Sequence, residues 1–343
     1  MTRVKMFDAT LRDGSHAVRH QFSKEEIEKY CRCIDKAGVD AVIVGHGNGL
    51  GASSLQVGRS KLSDREMLLA AKGSLKHTPL GVYMIPGFGT IQDDLEPAIE
   101  LGVEIFKIGC QCTEADTTRQ HFEYLCRKNK TVYGVLMMYH MANAERLLEE
   151  AQKMQGYGAT GVILMDSAGA STPEMVKRAV SALCDGLNIE VGFHAHNNLG
   201  LAVGNTYIAI QEGADIVDGT IRGFGAGAGN CPLEVLTALL KKENYEMGKL
   251  DWYAMMDVGE KVVKEFTKDD HGIDNISIVS GVSGVFSAFK EHVLYAAEVF
   301  QVDPRDIFLE LGERRAMAGQ EDMVIDVAAE LSRRKAMNTG LSF

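Results

Sequence analysis

Hydrophobic and polar positions along the chain follow two alternating rhythms. Short runs rich in β-branched and other apolar residues fall at 4–9, 41–44, 80–85, 105–108, 132–138, 161–165, 190–193 and 216–220. Between them, apolar residues recur every three or four positions, at 24–36, 64–72, 92–100, 116–128, 144–156, 173–185, 201–212 and 233–242. The first rhythm is that of buried strands and the second that of amphipathic helices. Helix punctuation agrees. Ser23 precedes Lys24-Glu25-Glu26, which is a capping box, and Ser171-Thr172-Pro173-Glu174 sets a capping hydroxyl before a first-turn proline. Gly38, Gly102, Gly158 and Gly213 stand just past helix ends, where a left-handed residue is needed. Eight β-then-α units predict a (β/α)8 TIM barrel over residues 1–245. A doubly wound open sheet is the alternative, because periodicity does not show closure. Residues 246–343 lack strand alternation and predict a helical C-terminal extension, with helices at 252–266, 284–300, 304–310 and 323–335.

Composition adds exclusions. No apolar run approaches the roughly 20 residues of a membrane helix, and the N-terminus lacks a signal-like stretch, so a cytoplasmic location with no membrane contact is expected. The net charge of −11 argues against a nucleic-acid binder, which needs a basic face. It does not argue against an anionic small molecule, since one metal and one arginine set the local field. The cysteine count, 7, is odd and no C-x-x-C occurs, which suits free packed thiols.

A parallel barrel gathers reactive groups at the C-terminal ends of its strands. Arg12-Asp13-Gly14-Ser15-His16 follows the first strand, and His194-Ala195-His196 closes the seventh. Histidines at i and i+2 of extended chain point the same way. With the Asp13 carboxylate they make a two-His, one-carboxylate set that leaves positions open for a chelating substrate. Such a set suits Mn, Fe, Co or Zn better than Ca. A rival chemistry, a lysine Schiff base, has one strand lysine in the region, Lys107. Gly223-x-Gly225-x-Gly227-x-Gly229 looks like a phosphate loop but lies after the eighth strand rather than the first.

The run Asp8-Ala9-Thr10-Leu11-Arg12-Asp13-Gly14-Ser15-His16 and its continuation to Phe22 resemble the opening of the 4-hydroxy-2-oxovalerate aldolases. These belong to the metal-dependent superfamily of hydroxymethylglutaryl-CoA lyase and isopropylmalate synthase. His194-x-His196-Asn197-Asn198, the segment 223–230 and Gly319-Gln320-Glu321-Asp322-Met323 match as well. The resemblance implies cleavage of a 4-hydroxy-2-oxo acid to pyruvate and an aldehyde, with a place in aromatic hydrocarbon breakdown. It implies a divalent metal, Mn2+, on Asp13, His194 and His196. It makes Arg12 the oxyanion partner, His16 the base for the 4-hydroxyl, and Ser167 a substrate contact. It also implies that the C-terminal helices dock an acylating aldehyde dehydrogenase; a homo-oligomer contact is the alternative.

Three positions depart from that pattern. Ile43 stands where an arginine-pairing glutamate is expected, Phe286 replaces a tyrosine, and Tyr83 falls in a motif that is otherwise leucine-rich. Tyr83 is expected to put its phenol into the substrate pocket that Phe286 has lost, so both are taken as substrate-binding, with altered aldehyde size or C4 stereochemistry as the consequence. Two other functions stay open. One is a Claisen-type synthase or another lyase on the same metal site, the other a catalytically weak barrel that serves only as a binding partner.

Overall fold

The structure, a computed structural model, describes residues 3–266 and 272–338. Eight parallel strands close on themselves in chain order: β1 (Lys5–Asp8), β2 (Ala41–Ile43), β3 (Leu80–Met84), β4 (Ile105–Gln111), β5 (Thr131–Met137), β6 (Gly161–Asp166), β7 (Glu190–Ala195) and β8 (Ile216–Gly219). Closure is made by β8, whose Asp218 lies opposite Phe7 of β1 on one side and His194 of β7 on the other. That pairing excludes the open doubly wound sheet. The helices between strands are α1 (Gly14–Ala17), α2 (Lys24–Ile34), α3 (Asp64–Ser74), α4 (Glu96–Glu100), α5 (Arg119–Arg127), α6 (Ala144–Gly156), α7 (Pro173–Gly186) and α8 (Ala202–Gln211). α9 (Leu233–Lys242) follows β8. Ser23 caps α2 through a complete capping box, and Thr172 caps α7 with Pro173 in its first turn.

Alternate residues of each strand face the barrel lumen. Phe7, Ile43, Tyr83, Ile105, Tyr133, Val135, Ile163 and Ile216 fill it as a packed core. Lys107 and Asp218, each two residues further toward the strand C-termini than Ile105 and Ile216, are also fully buried there. Outside, the opposite strand faces and the helices form the larger core, to which Tyr30, Phe106, Phe122 and Phe193 contribute.

The extension comprises α10 (Trp252–Lys261), α11 (Asn275–Ser283), α12 (Lys290–Phe300), α13 (Pro304–Glu313) and α14 (Glu321–Asn338). Met255 and Val258 of α10 join the barrel's core, while a second core gathers Ile276, Phe289, Val293, Phe308 and Val324 from α11–α14 and their joints. The helix expected over 284–300 is interrupted. Gly284 takes a left-handed conformation (φ 68°) that ends α11, a single 3-10 turn spans Ser287–Phe289, and α12 starts only at Lys290. α11 itself escaped the sequence reading because its serines, valines, isoleucines and glycine are weak helix formers. Asp274 starts it by accepting a hydrogen bond from Ser277 N.

Candidate metal centre and active site

Asp13 leaves the end of β1 on a tight turn and stands at the N-cap of α1. His194 is the fifth residue of β7, and His196 lies just beyond its end. Ligand atoms of Asp13, His194 and His196 all fall within 4.8 Å of one another, and all three residues are buried. The donor set fits a cation. Nε2 of His194 and Nδ1 of His196 are buried without a hydrogen-bond partner, while Nδ1 of His194 faces Asp218 Oδ1 at 3.4 Å. Such orphans are costly unless something not yet present satisfies them.

Asp13 is held from two sides. Its Oδ1 accepts from Arg12 Nη1 at 2.8 Å, and its Oδ2 accepts from Asn230 Nδ2 at 2.6 Å and from Ala226 N at 3.1 Å. Burial alone would raise this carboxyl, but Arg12 and the nearby histidines outweigh it and hold the group well below the usual carboxylate range. The glycine-rich loop thus wraps a carboxylate rather than a phosphate. At Gly225 a side chain would strike both Asn230 and Asp13, the nearest atoms lying 2.0 and 2.4 Å from its Cβ. Arg12 is 3 % exposed, and its Nε and Nη2 are without partners. Two fixed donors therefore sit beside the triad, unspent.

His16 lines a cleft of about 810 Å3, bounded by the loops after β1, β2 and β8 and by the joint between α11 and α12. Its ring packs edge-on against His20, with centroids 5.0 Å apart, and His20 stacks on His46 at 3.6 Å. The stack has fixed tautomers to lean on. His46 Nδ1 accepts from Asn48 N at 3.0 Å, so its Nε2 donates to Gly58 O at 3.1 Å. Burial pushes all three imidazoles down, His16 to about 3, His20 to about 2 and His46 to about 4. Asp13 opposes the shift at His16 without cancelling it. All three rings are thus neutral near pH 7.

Ser167, Tyr83 and Phe286 are the remaining expected contacts. Ser167, directly after β6, is fully buried; its Oγ accepts from Met138 N at 3.2 Å and its carbonyl from Ser287 N at 3.1 Å. Tyr83 is a lumen residue, 2 % exposed, whose hydroxyl donates to Met137 Sδ at 2.9 Å. Its ring lies under Arg12, with Cζ 4.9 Å from the centroid, so Tyr83 meets the site as a platform for the guanidinium. Phe286 is half-buried on the extension and packs edge-on against Phe289 at 5.8 Å. Ile43 packs in the lumen core and leaves Arg12 with Asp13 as its carboxylate partner. Lys107, whose ammonium burial pushes well below the usual lysine range, is paired with Asp218 inside the lumen.

Family comparisons agree with this geometry. Residues 3–262 match the HMGL-like family and residues 271–333 the DmpG-like communication domain. The chain is 49 % identical over 332 residues to a 4-hydroxy-2-oxovalerate aldolase of Pectobacterium atrosepticum, covering 97 % of this chain and 96 % of that protein. It is 51 % identical over 331 residues to one of Spirochaeta aurantia, covering 96 % and 97 %. The chain belongs to the 4-hydroxy-2-oxovalerate aldolase family. That family places it among carbon–carbon lyases. The carboxyl transferase domain of Rhizobium etli pyruvate carboxylase shares the fold, with TM-score 0.79 at 14 % identity over 97 % of this chain and 60 % of that one. No helix among the described residues is long and apolar enough to cross a membrane.

Several site residues of this family member carried no legible role in the sequence. Asn230 was visible only as the end of a glycine-rich run, and nothing local tied it to Asp13. His20 and His46 are 26 positions apart and meet only because β1 and β2 are neighbours. Asp8 is fully buried and accepts from Tyr30 Oη at 2.6 Å and Thr10 Oγ1 at 2.5 Å, while Thr10 Oγ1 accepts from Ile221 N at 2.8 Å. Burial raises Asp8 to about 6. This network fixes the exit of β1 from which Arg12, Asp13 and His16 are presented.

Proposed function

We propose that the chain cleaves a 4-hydroxy-2-oxo acid to pyruvate and an aldehyde at the Asp13–His194–His196 centre, with Mn2+ as the resident ion. The observation that carries this reading is the convergence of that triad with the two unspent donors of Arg12 and the neutral ring of His16. A divalent cation there supplies chelation of an α-oxo carboxylate and Lewis-acid stabilisation of developing enolate charge. Arg12 aims Nε and Nη2 at the same charge from a buried, low-dielectric position, where each donor acts at nearly full strength. His16 takes the 4-hydroxyl proton onto its imidazole. The C4–O electrons become the aldehyde carbonyl, and the C3–C4 pair moves onto the pyruvate half. Asn230 and Ala226 N hold Asp13 so that its Oδ1 stays turned to the centre.

Ser167 supports this arrangement as a link between the ends of β5 and β6 and the extension, beside the substrate position. Tyr83 shapes the pocket through Arg12. The loop bearing Phe286 borders the cleft beyond His16, where Ser287 and Ala288 line the wall, so the aldehyde half is read there. The match of residues 271–333 to a communication domain supports docking of an acylating aldehyde dehydrogenase on the extension, which takes the aldehyde as it forms.

The test is pyruvate release from a panel of 4-hydroxy-2-oxo acids, with metal-stripped protein resupplied with Mn2+, Co2+, Zn2+ or Mg2+. Metal-dependent turnover that disappears in Asp13→Ala supports the reading. Turnover of equal rate in the stripped protein, or condensation only with an acyl-CoA, would sink it.

A further inference from the structure

Three fully buried polar side chains stand in line beneath the centre, and the chemistry described so far uses only the first. His194 Nδ1 lies 3.4 Å from Asp218 Oδ1, and the other carboxylate oxygen, Oδ2, accepts from Lys107 Nζ. All three side chains are 0 % exposed. His194 and Asp218 are register partners on adjacent strands. Lys107 belongs to β4, four strands from β8 in a closed ring of eight, so its side chain crosses the whole lumen to reach Asp218. Around the three, the lumen is filled with Ile105, Val135, Ile163 and Ile216.

Such an arrangement is a poor way to gain stability. Removing two charges from water costs more than their attraction commonly returns, and apolar replacements of a buried pair are often neutral or better. Its geometry has another consequence. A histidine that ligates a metal through one ring nitrogen gives its other N–H to a fixed acceptor, which selects the tautomer and the ring plane. Here the acceptor facing Nδ1 is Asp218, and Nε2 is then the nitrogen turned to the centre. A carboxylate alone in an apolar lumen can rotate away. Lys107 pins the second oxygen, so Oδ1 remains pointed at His194.

We infer that Asp218 is a positioning residue that fixes His194 for metal binding and that Lys107 is the strut that holds Asp218 in place. The inference rests on the proposed metal centre. Neither His194 Nδ1 nor Asp218 Oδ1 has a hydrogen-bond partner among the described residues, so at 3.4 Å each is left for the other.

The experiment measures Co2+ and Mn2+ dissociation constants of the purified full chain by calorimetry, together with the visible absorption spectrum of the Co2+ form. Asp218→Asn is expected to weaken both metals by about 10- to 100-fold and to shift the Co2+ bands, because the ring is no longer held in one orientation. Lys107→Gln is expected to weaken binding in the same direction. Asp218→Asn leaves a buried lysine without its carboxylate, so a failure to fold is guarded against with the double variant Lys107→Met/Asp218→Asn. That variant buries no charge, and it is expected to lose as much affinity as Asp218→Asn. Wild-type affinity and an unchanged Co2+ spectrum in the double variant would overturn the role of Asp218. Wild-type affinity in Lys107→Gln would overturn the strut. A wild-type chain that takes up neither ion would remove the metal centre itself, and this inference with it, whereas loss of uptake in Asp13→Ala alongside tight wild-type binding separates the two failures.

Discussion

Gly47→Ala presses a methyl group on the His16 ring while keeping the backbone groups through which Gly47 meets Arg12 and His20. Gly47 follows β2 and forms the surface on which the His16 ring rests. A methyl group there would lie 2.3 Å from Nε2, 2.4 Å from Cδ2 and 2.5 Å from Cε1 of His16. Ordinary contact begins near 3.4 Å, so the ring must retreat by about 1 Å. The backbone of Gly47 does not need a left-handed conformation, which leaves the steric displacement as the perturbation. The ring yields because it is the far end of a side chain that lines the cleft. Fold stability is therefore expected to change little, with Tm within about 3 °C of wild type. The catalytic cost is larger. Misplacing a reacting group by about 1 Å is worth on the order of 100-fold in rate. Steady-state pyruvate release should show kcat lowered by about that factor, with KM and Mn2+ affinity near wild type. Adding Gly47→Ala to His16→Ala should cost nothing further, since the two changes remove the same function. A Gly47→Ala enzyme with wild-type kcat, or a double variant far slower than His16→Ala, would refute His16 as the base.

Asp13→Asn keeps the side chain's size but loses the charge and one of its two acceptor oxygens, and should weaken Mn2+ binding at least about 100-fold by calorimetry, with turnover lost in parallel. His20 and His46 are neutral in the folded chain to about pH 2 and 4, whereas unfolded histidines take up protons near 6.5. Stability of the metal-free protein is thus complete above pH 6.5 and is lost as pH falls, by about 1.4 kcal/mol per unit for each buried ring; urea midpoints from pH 6.5 to 4.5 should fall less steeply in His46→Phe. Tyr30→Phe leaves one oxygen of the buried Asp8 carboxylate without its donor and should cost about 1–3 kcal/mol in urea unfolding. Phe286→Tyr should change the kcat/KM ratio between short and long 4-hydroxy-2-oxo acids by about 10-fold with Tm unmoved; an unchanged ratio would place the aldehyde half elsewhere.

The barrel and its metal triad were legible because both are written in local signals. Periodicity marks strands and helices one at a time, and the strand-end rule places Asp13, His194 and His196 at one mouth. What stayed hidden depends on which strands become neighbours. The link from Lys107 to Asp218 spans 111 positions and exists only because β4 faces β8 across a closed ring. Tyr83 shows the same limit. Alternation along β3 sets it in the lumen, but whether its phenol or its ring faces Arg12 depends on where Met137 lies, 54 positions on. The missed helix α11 and the false start at Gly284 have a different cause. Propensity is weak there, and packing between α11 and α13 supplies what it lacks.

The extension is more than a platform that happens to follow a finished barrel. Asn198, two residues past His196, donates to Ser277 O at 3.2 Å and accepts from Ser287 Oγ at 3.1 Å. His140, after β5, meets Gly284 O at 3.1 Å, and the carbonyl of Ser167 is satisfied by Ser287 N. Buried polar groups without partners are costly. The ends of β5, β6 and β7 therefore need the joint between α11 and α12 as much as that joint needs them. The same joint lines the cleft that opens on His16. The hydrogen bonds of Asn198, His140 and Ser167 thus tie this wall of the cleft to the ends of the barrel strands. If the extension docks a partner as proposed, this joint is its shortest route to the cleft beyond His16.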